Sequence, residues 1–182
     1  MYFPDLEKCE YHSGPLDAAC WQAPLLAVGW LEHPHRFSCG TPPEGLLEKL
    51  GMLASAAEES HPHYNFRGLH CCSICEAERG ASKALLKSHV NILIPGNGVV
   101  YATPAGITHY IEVHSYIPPI EFITAVKQCP AYGSAGYYES LCNSNHGTAP
   151  PMITWEEHVH TTREMLSKVI EARDAKGGYD EN

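Results

Sequence analysis

The chain has 182 residues, a hydrophobic fraction of 44% and a formal net charge of −9. This length suits one domain over 1–182, and the hydrophobic fraction allows a core without covalent cross-links. No window of eight residues holds more than two lysines or arginines. Because an acidic chain without a basic patch repels phosphate backbones, nucleic-acid binding is disfavoured.

The first residues, MYFPDLEKCEYHSG, lack the basic segment and apolar stretch of a signal peptide. No apolar run approaches the roughly 18 residues needed to cross a bilayer. We therefore expect a soluble, cytoplasmic protein. Its eight cysteines would then lie in a reducing compartment, where a disulfide framework is disfavoured and clustered cysteines indicate metal binding or catalysis.

In chain order, the first half begins with an irregular arm and continues into a short apolar element. Residues 1–23 show no clear period, and 24–31 form an apolar run that fits either a buried strand or a short helix. Residues 43–59 follow a helical apolar stripe that starts at a pair of prolines. The sequence thus predicts one helix in this half of the chain.

The middle of the chain predicts a β-hairpin followed by two helices. The β-branched runs HVNILIP and GVVYATP flank Gly96-Asn97-Gly98, which is a hairpin signal. Residues 104–114 and 118–129 each begin at proline and then follow helical spacing. The predicted fold class is therefore α+β, with a small antiparallel sheet packed against several helices.

The end of the chain predicts a loop and then a helix. Residues 130–151 are rich in Gly, Ser, Asn and Pro and are interpreted as a long loop, whose tyrosines form either an interaction surface or a packed cluster. Residues 152–176 are predicted to form a long amphipathic helix, because Thr154 and Glu157 match a capping box.

The strongest functional signal is a set of two cysteines and two histidines. Cys72 and Cys75 form a C-x2-C pair, and 33 residues separate it from the H-x4-H pair His109 and His114. Zinc prefers four tetrahedral ligands of these types, so the predicted α+β fold includes a zinc knuckle at the cysteine pair. A disulfide or a redox C-x-x-C pair remains an alternative, although the strand–helix pattern of thioredoxin-like proteins is not evident in the sequence.

The two histidines pose a geometric requirement. Residues five apart lie about 140° apart around a regular helix, so both side chains could not face one ion. His114 would have to lie where the helix tightens or ends, and Pro118 and Pro119 favour an ending nearby.

Two neighbouring residues have open roles. His70 is an alternative ligand, or it supports a ligand from outside the coordination shell. Glu112 lies three residues after His109, so it could orient that histidine or act as a general base; a solvated glutamate is the plain alternative.

The joint pattern of VGWLEHPHRFSCG, GLHCCSIC and VVYATPAGITHYIEVHSYIPPIEFITAV resembles an uncharacterised bacterial family, a domain of unknown function. The resemblance covers roughly 28–126 and implies a metal-bound fold without an established activity. It singles out His70, Cys72, Cys75, His109 and His114, surrounded by Tyr101, Tyr110, Tyr116, Pro118 and Pro119. Family members tend to carry glycine where this chain has Ser115, at a place where a left-handed helix end favours glycine.

Four functions follow from these observations. The favoured hypothesis is a zinc protein with a closed, structural Cys2His2 site that acts through a protein partner. The alternative is a zinc hydrolase with an open site and Glu112 or His70 as general base. A nucleic-acid-binding zinc module is disfavoured by charge, and redox or metal sensing through the surplus thiols stays open.

Overall fold

A computed structural model describes residues 2–9, 21–60, 70–79, 85–86 and 90–148 of the chain. The predicted helix at 152–176 lies outside these described residues, and the single-domain prediction for 1–182 stays a prediction. The strands are β1 (Leu25–Ala27), β2 (His70–Cys71), β3 (Leu85–Leu86), β4 (Asn91–Pro95) and β5 (Val100–Pro104). The helices are α1 (Leu46–Ser60), α2 (Ser73–Arg79), α3 (Ile107–His114), α4 (Ile120–Gln128) and α5 (Ala135–Ser144).

The predicted hairpin forms the centre of the fold. Strands β4 and β5 pair antiparallel, with Asn91 opposite Pro104 and Pro95 opposite Val100. The Gly96 amide donates to the Val99 carbonyl at 2.9 Å and closes the turn between them. Both strands are almost wholly buried, as their β-branched sequences suggest.

Strand β1 makes the central sheet mixed. It pairs parallel with β5, so the strand order is β1-β5-β4. On the other edge of β1, Phe3 bridges Trp30 and Lys8 bridges Leu26, so the segment at 3–8 covers that edge. Strands β2 and β3 form a separate two-stranded sheet. With the helices around them, these sheets confirm the predicted α+β class.

Helices α1, α4 and α5 pack against β4. The apolar stripe of α1 is buried at Leu46, Leu50 and Leu53, and Phe122 of α4 is also fully buried. Helix α1 begins at Leu46, later than the sequence suggests. Gly45 has a left-handed φ of 76°, so the helix cannot extend through it towards the N-terminus. The core thus lies between the hairpin and these three helices.

The prediction of a long loop at 130–151 is wrong where α5 forms. The Ser134 side chain accepts a hydrogen bond from the Tyr137 amide at 3.2 Å and caps the helix. Tyr137, Leu141 and Ser144 are buried at positions i, i+4 and i+7. Burial of this narrow stripe outweighs the weak helix propensity of the surrounding glycine, serine and asparagine.

Of the tyrosine cluster in this segment, Tyr137 is packed in the interior, while Tyr132 and Tyr138 are half-buried. Tyr137 is fully buried, and its hydroxyl donates to the Leu93 carbonyl at 2.8 Å. The Tyr132 ring lies 4.7 Å from the Tyr137 ring. Tyr137 therefore joins α5 to β4 and is not available as a contact for a partner.

None of the helices described in the structure has the length and apolar character that crossing a membrane requires.

Candidate metal centre

The four residues predicted as ligands come together in the structure. Donor atoms of Cys72, Cys75, His109 and His114 all lie within 4.8 Å of one another. The Nε2 atom of His114 is 3.3 Å from both sulfur atoms, and the Nε2 atom of His109 is 3.5 Å from the Cys75 sulfur. Three of the four side chains are buried, and that of His109 is half-buried. The cluster therefore has little contact with water.

Helix α2 positions both cysteines. Cys72 directly precedes the helix and Cys75 lies in its first turn, where the Cys75 amide donates to the Cys72 sulfur at 3.4 Å. The C-x2-C motif thus lies at the start of a helix that follows a strand, an arrangement that the sequence did not reveal. Redox C-x-x-C motifs have the same position. However, the strand before the motif, β2, pairs antiparallel with β3 in a two-stranded sheet, and it has no parallel partner among the described strands, unlike the strand of a thioredoxin-like βαβ unit.

The end of α3 solves the problem of the histidine spacing. His114 is the last residue of the helix, and the Ser115 amide donates to the Tyr110 carbonyl, five residues back. An i→i−5 bond makes a wider turn than the usual i→i−4 bond, so residues five apart come closer to one full turn. The rings of His109 and His114 consequently lie 5.2 Å apart on the side that faces the cysteines.

A close contact fixes the start of α3 against the end of β1. Gly29 has a φ of 75°, and a Cβ atom there would lie 2.7 Å from Ile107 Cδ1. The Trp30 indole donates to the Ala102 carbonyl at 3.0 Å. The Gly29-Trp30 pair therefore lets β1, β5 and the first residue of α3 approach closely.

The segment between β1 and α1 holds the outer side of the centre. The His33 amide donates to the Ser73 hydroxyl of α2 at 2.9 Å, and the Gly40 amide donates to the Ser115 carbonyl at 2.9 Å. One loop thereby contacts both ligand-bearing helices. The segment GWLEHPHRFSCG therefore contacts the elements that carry the cysteine–histidine cluster at His33 and at Gly40.

Tyr110 is a neutral neighbour of the cluster. Its hydroxyl donates to the Leu31 carbonyl at 3.2 Å. Burial raises the pKa of Tyr110 well above its usual range, and negative charge at Cys72 raises it further. The phenol therefore stays protonated at neutral pH and serves as a structural donor.

Glu78 is a neighbour that the sequence reasoning missed. Its carboxylate lies 3.6 Å from Nδ1 of His114, on the ring edge opposite the sulfur atoms. A carboxylate behind a ligating histidine favours the tautomer that leaves Nε2 free to bind a metal. The available signal was helical spacing, because Glu78 follows Cys75 by three residues and shares its helix face.

The structure places the two other candidates differently. Glu112 is exposed on α3 and lines a shallow cavity with Thr108 and residues of α1; none of the four clustered side chains lines that cavity. The His70 backbone lies in β2 opposite Leu86, and its role as alternative ligand stays a prediction.

The donor set fits a tetrahedral metal ion. With Zn–S bonds of about 2.3 Å and Zn–N bonds of about 2.0–2.1 Å, tetrahedral sulfur and nitrogen ligands lie about 3.5 Å apart. The observed sulfur–nitrogen distances are 3.3, 3.3 and 3.5 Å. Mixed thiolate and imidazole donors suit zinc among the common metals. The cluster can therefore hold a metal ion with modest adjustment.

A family model described as a domain of unknown function, DUF7919, matches residues 1–127. The chain therefore belongs to this family, which confirms its resemblance to an uncharacterised one. The match includes all four clustered residues and ends before α5. No curated protein and no solved structure gives a significant match.

Proposed function

We propose that this DUF7919 member is a zinc protein with a closed, structural Cys2His2 site. The observation that carries the proposal is the convergence of two sulfur and two imidazole donors from separate segments within 4.8 Å. Four protein ligands fill a tetrahedral shell and leave no position for a substrate, so the metal contributes folding energy instead of catalysis.

Burial supports the structural role. Cys72 and Cys75 have no exposed surface, and the side chain of His114 is 2% exposed. A substrate would reach the ion only by displacing one of these ligands or the half-buried His109. The hydrolase alternative gains no support from Glu112, because its cavity lies on the α1 side of α3.

We further propose that the protein acts through a protein partner. Because a closed metal site performs no catalysis, we expect the protein to act by binding. The net charge of −9 suits a basic partner surface better than an acidic one. Cross-linking mass spectrometry in the native cell extract, with zinc-loaded protein and Cys72→Ser as baits, tests this step. Partners cross-linked equally by the misassembled variant would count against it.

Metal content of freshly purified protein tests the site itself. We expect one zinc per chain by inductively coupled plasma mass spectrometry, and its loss in both Cys72→Ser and His114→Ala. Cys71→Ser and His146→Ala are matched controls, because each removes the same side-chain type outside the cluster. Zinc that persists in His114→Ala would remove this histidine from the ligand set and direct attention to His70.

A further inference from the structure

A second cavity lies away from the metal centre, between the tip of the β4–β5 hairpin and helices α4 and α5. Its volume is about 880 Å³, within the range of sites that hold small molecules. Leu6, Val99, Tyr101, Ile120 and Glu121 are among the residues that line it. None of the clustered cysteines and histidines lines it, so its function is independent of the metal.

The walls of this cleft are held in place by direct contacts. The Ser144 hydroxyl of α5 donates to the Gly96 carbonyl at the hairpin tip, at 2.6 Å. The Tyr101 ring packs edge-on against Phe122 of α4, with centroids 5.7 Å apart. All three elements are thus connected across the cleft, which reduces the conformational cost of binding a ligand.

Two large apolar side chains are exposed at the cleft. Ile120 is 67% exposed, and Leu6 is 36% exposed. Leu6 also has a φ of 65°, a left-handed conformation that is costly for a residue with a bulky side chain. Its amide donates to the Ala27 carbonyl at 2.8 Å, which holds it there. The fold therefore accepts backbone strain and exposed apolar surface at the same cleft.

Among the described residues that line the cleft, Glu121 is the one side chain charged at neutral pH. No lysine, arginine or histidine lines the cleft in the part of the chain that the structure describes. Burial raises the pKa of the Cys129 thiol to about 11, and burial together with the charge of Glu121 raises the pKa of Tyr101. Both groups stay neutral, and Lys49 lies close enough to Cys129 to lower the pKa of that thiol. Glu121 therefore attracts a cation, and repels an anion, at its own end of the cleft.

We propose that this cleft binds a small amphipathic amine. The apolar body of the ligand packs on Leu6, Val99 and Ile120, and its ammonium group pairs with the Glu121 carboxylate. Asparagine, glutamine and serine side chains of α4 and α5 supply hydrogen-bond partners for polar substituents.

Nuclear magnetic resonance titration of the zinc-loaded full chain, labelled with ¹⁵N, tests the proposal. Phenethylamine is the probe, and the equally shaped 3-phenylpropionate and 2-phenylethanol test the role of charge. We expect saturable shifts from phenethylamine in amides of the hairpin tip, α4 and α5, with a dissociation constant on the order of millimolar for so small a ligand. The anion should give no saturable shifts, and the alcohol should bind more weakly.

Two variants separate a specific site from general stickiness. Glu121→Gln should weaken phenethylamine binding about fivefold or more, since it removes the paired charge while keeping the side-chain shape. Glu139→Gln, which removes an exposed acid of α5 outside the lining, should bind like the parent. The proposal is overturned by equal binding of the amine and the anion, by unchanged binding in Glu121→Gln, or by the absence of saturable shifts in the cleft.

Discussion

At the residue scale, the histidine tautomer is the detail that a metal site depends on most. Nε2 of His114 faces both sulfur atoms, so binding a metal through Nε2 requires the proton of the neutral ring to lie on Nδ1, next to Glu78. The separation of 3.6 Å is longer than a hydrogen bond, and the carboxylate is 57% exposed. Glu78 therefore acts as an electrostatic support whose effect is screened by water.

Glu78→Gln should lower the zinc affinity about tenfold. This is the smallest effect expected for a carboxylate that supports a metal-binding histidine, because solvent already weakens the contact. Competition with a chromophoric chelator measures the affinity, and Glu76→Gln on the same helix is the matched control. Equal affinities for the two variants would show that Glu78 does not support His114.

Ser115 is a second residue where one side chain has a measurable effect. It ends α3 with a φ of 53°, in the left-handed region that favours glycine. Ser115→Gly should raise the free energy of unfolding by about 1 kcal/mol, because glycine relieves the strain of a Cβ atom in this conformation. Ser115→Ala keeps the Cβ atom and should give no gain. Urea denaturation compares the two, and equal stabilities would contradict the strain argument.

At the element scale, the sequence predicts those helices and strands whose signals lie within a few neighbouring residues. The hairpin and α3 were predicted because turn residues and apolar periodicity are contained within a few positions. The sequence also singles out a set of four residues, because the C-x2-C and H-x4-H spacings are visible without a structure: Cys72, Cys75, His109 and His114. Their role as ligands stays a prediction. Helix α5 was missed because its helical signal is only three buried residues within polar sequence.

Asp5 connects three segments of the chain through hydrogen bonds of its carboxylate. Its carboxylate accepts hydrogen bonds from the Gly29 amide at 2.9 Å and from the Tyr116 hydroxyl at 2.8 Å. It thereby joins the N-terminal segment to the end of β1 and to the residues after α3. Burial raises the pKa of Asp5 above its ordinary value of 3.8, and outweighs the two hydrogen bonds, which lower it.

The pKa of Asp5 predicts a pH dependence with a definite sign. Between 3.8 and the higher pKa of the folded state, the native protein binds more protons than the unfolded chain. The contribution of Asp5 to the free energy of unfolding is therefore fully present below 3.8 and is lost as the pH rises through the folded-state pKa. Relative to Asp5→Asn, which does not titrate, the parent should gain stability as the pH falls from neutral towards about 4.

Urea denaturation of both proteins across this range measures that difference. Other titrating groups, including those at the metal centre, are common to the two proteins and largely cancel. A difference that stays flat, or that shrinks as the pH falls, would show that burial does not raise the pKa of Asp5.

At the scale of the whole molecule, the candidate metal centre joins the weakly connected helix α2 to the end of α3, which packs against α1. Helix α2 makes few contacts with the other described helices and strands, and β2 pairs only with the short β3 within the described sheets. By contrast, Ile92, Ile94, Phe122 and Leu141 are fully buried around the central sheet. The metal and the apolar core should therefore stabilise different regions.

Zinc removal by a chelator should consequently unfold the molecule locally. In hydrogen–deuterium exchange, we expect faster exchange at 70–79 and at the end of α3, while β4 and β5 keep their protection.

Cys72→Ser without chelator should reproduce this pattern, and chelator added to Cys72→Ser should change nothing further, which controls for direct effects of the chelator. Loss of protection throughout the sheet would mean that the ion stabilises the entire fold, because the apolar core would then be insufficient without it. Unchanged exchange at 70–79 would mean that the cluster is held by packing and thiol–imidazole hydrogen bonds alone.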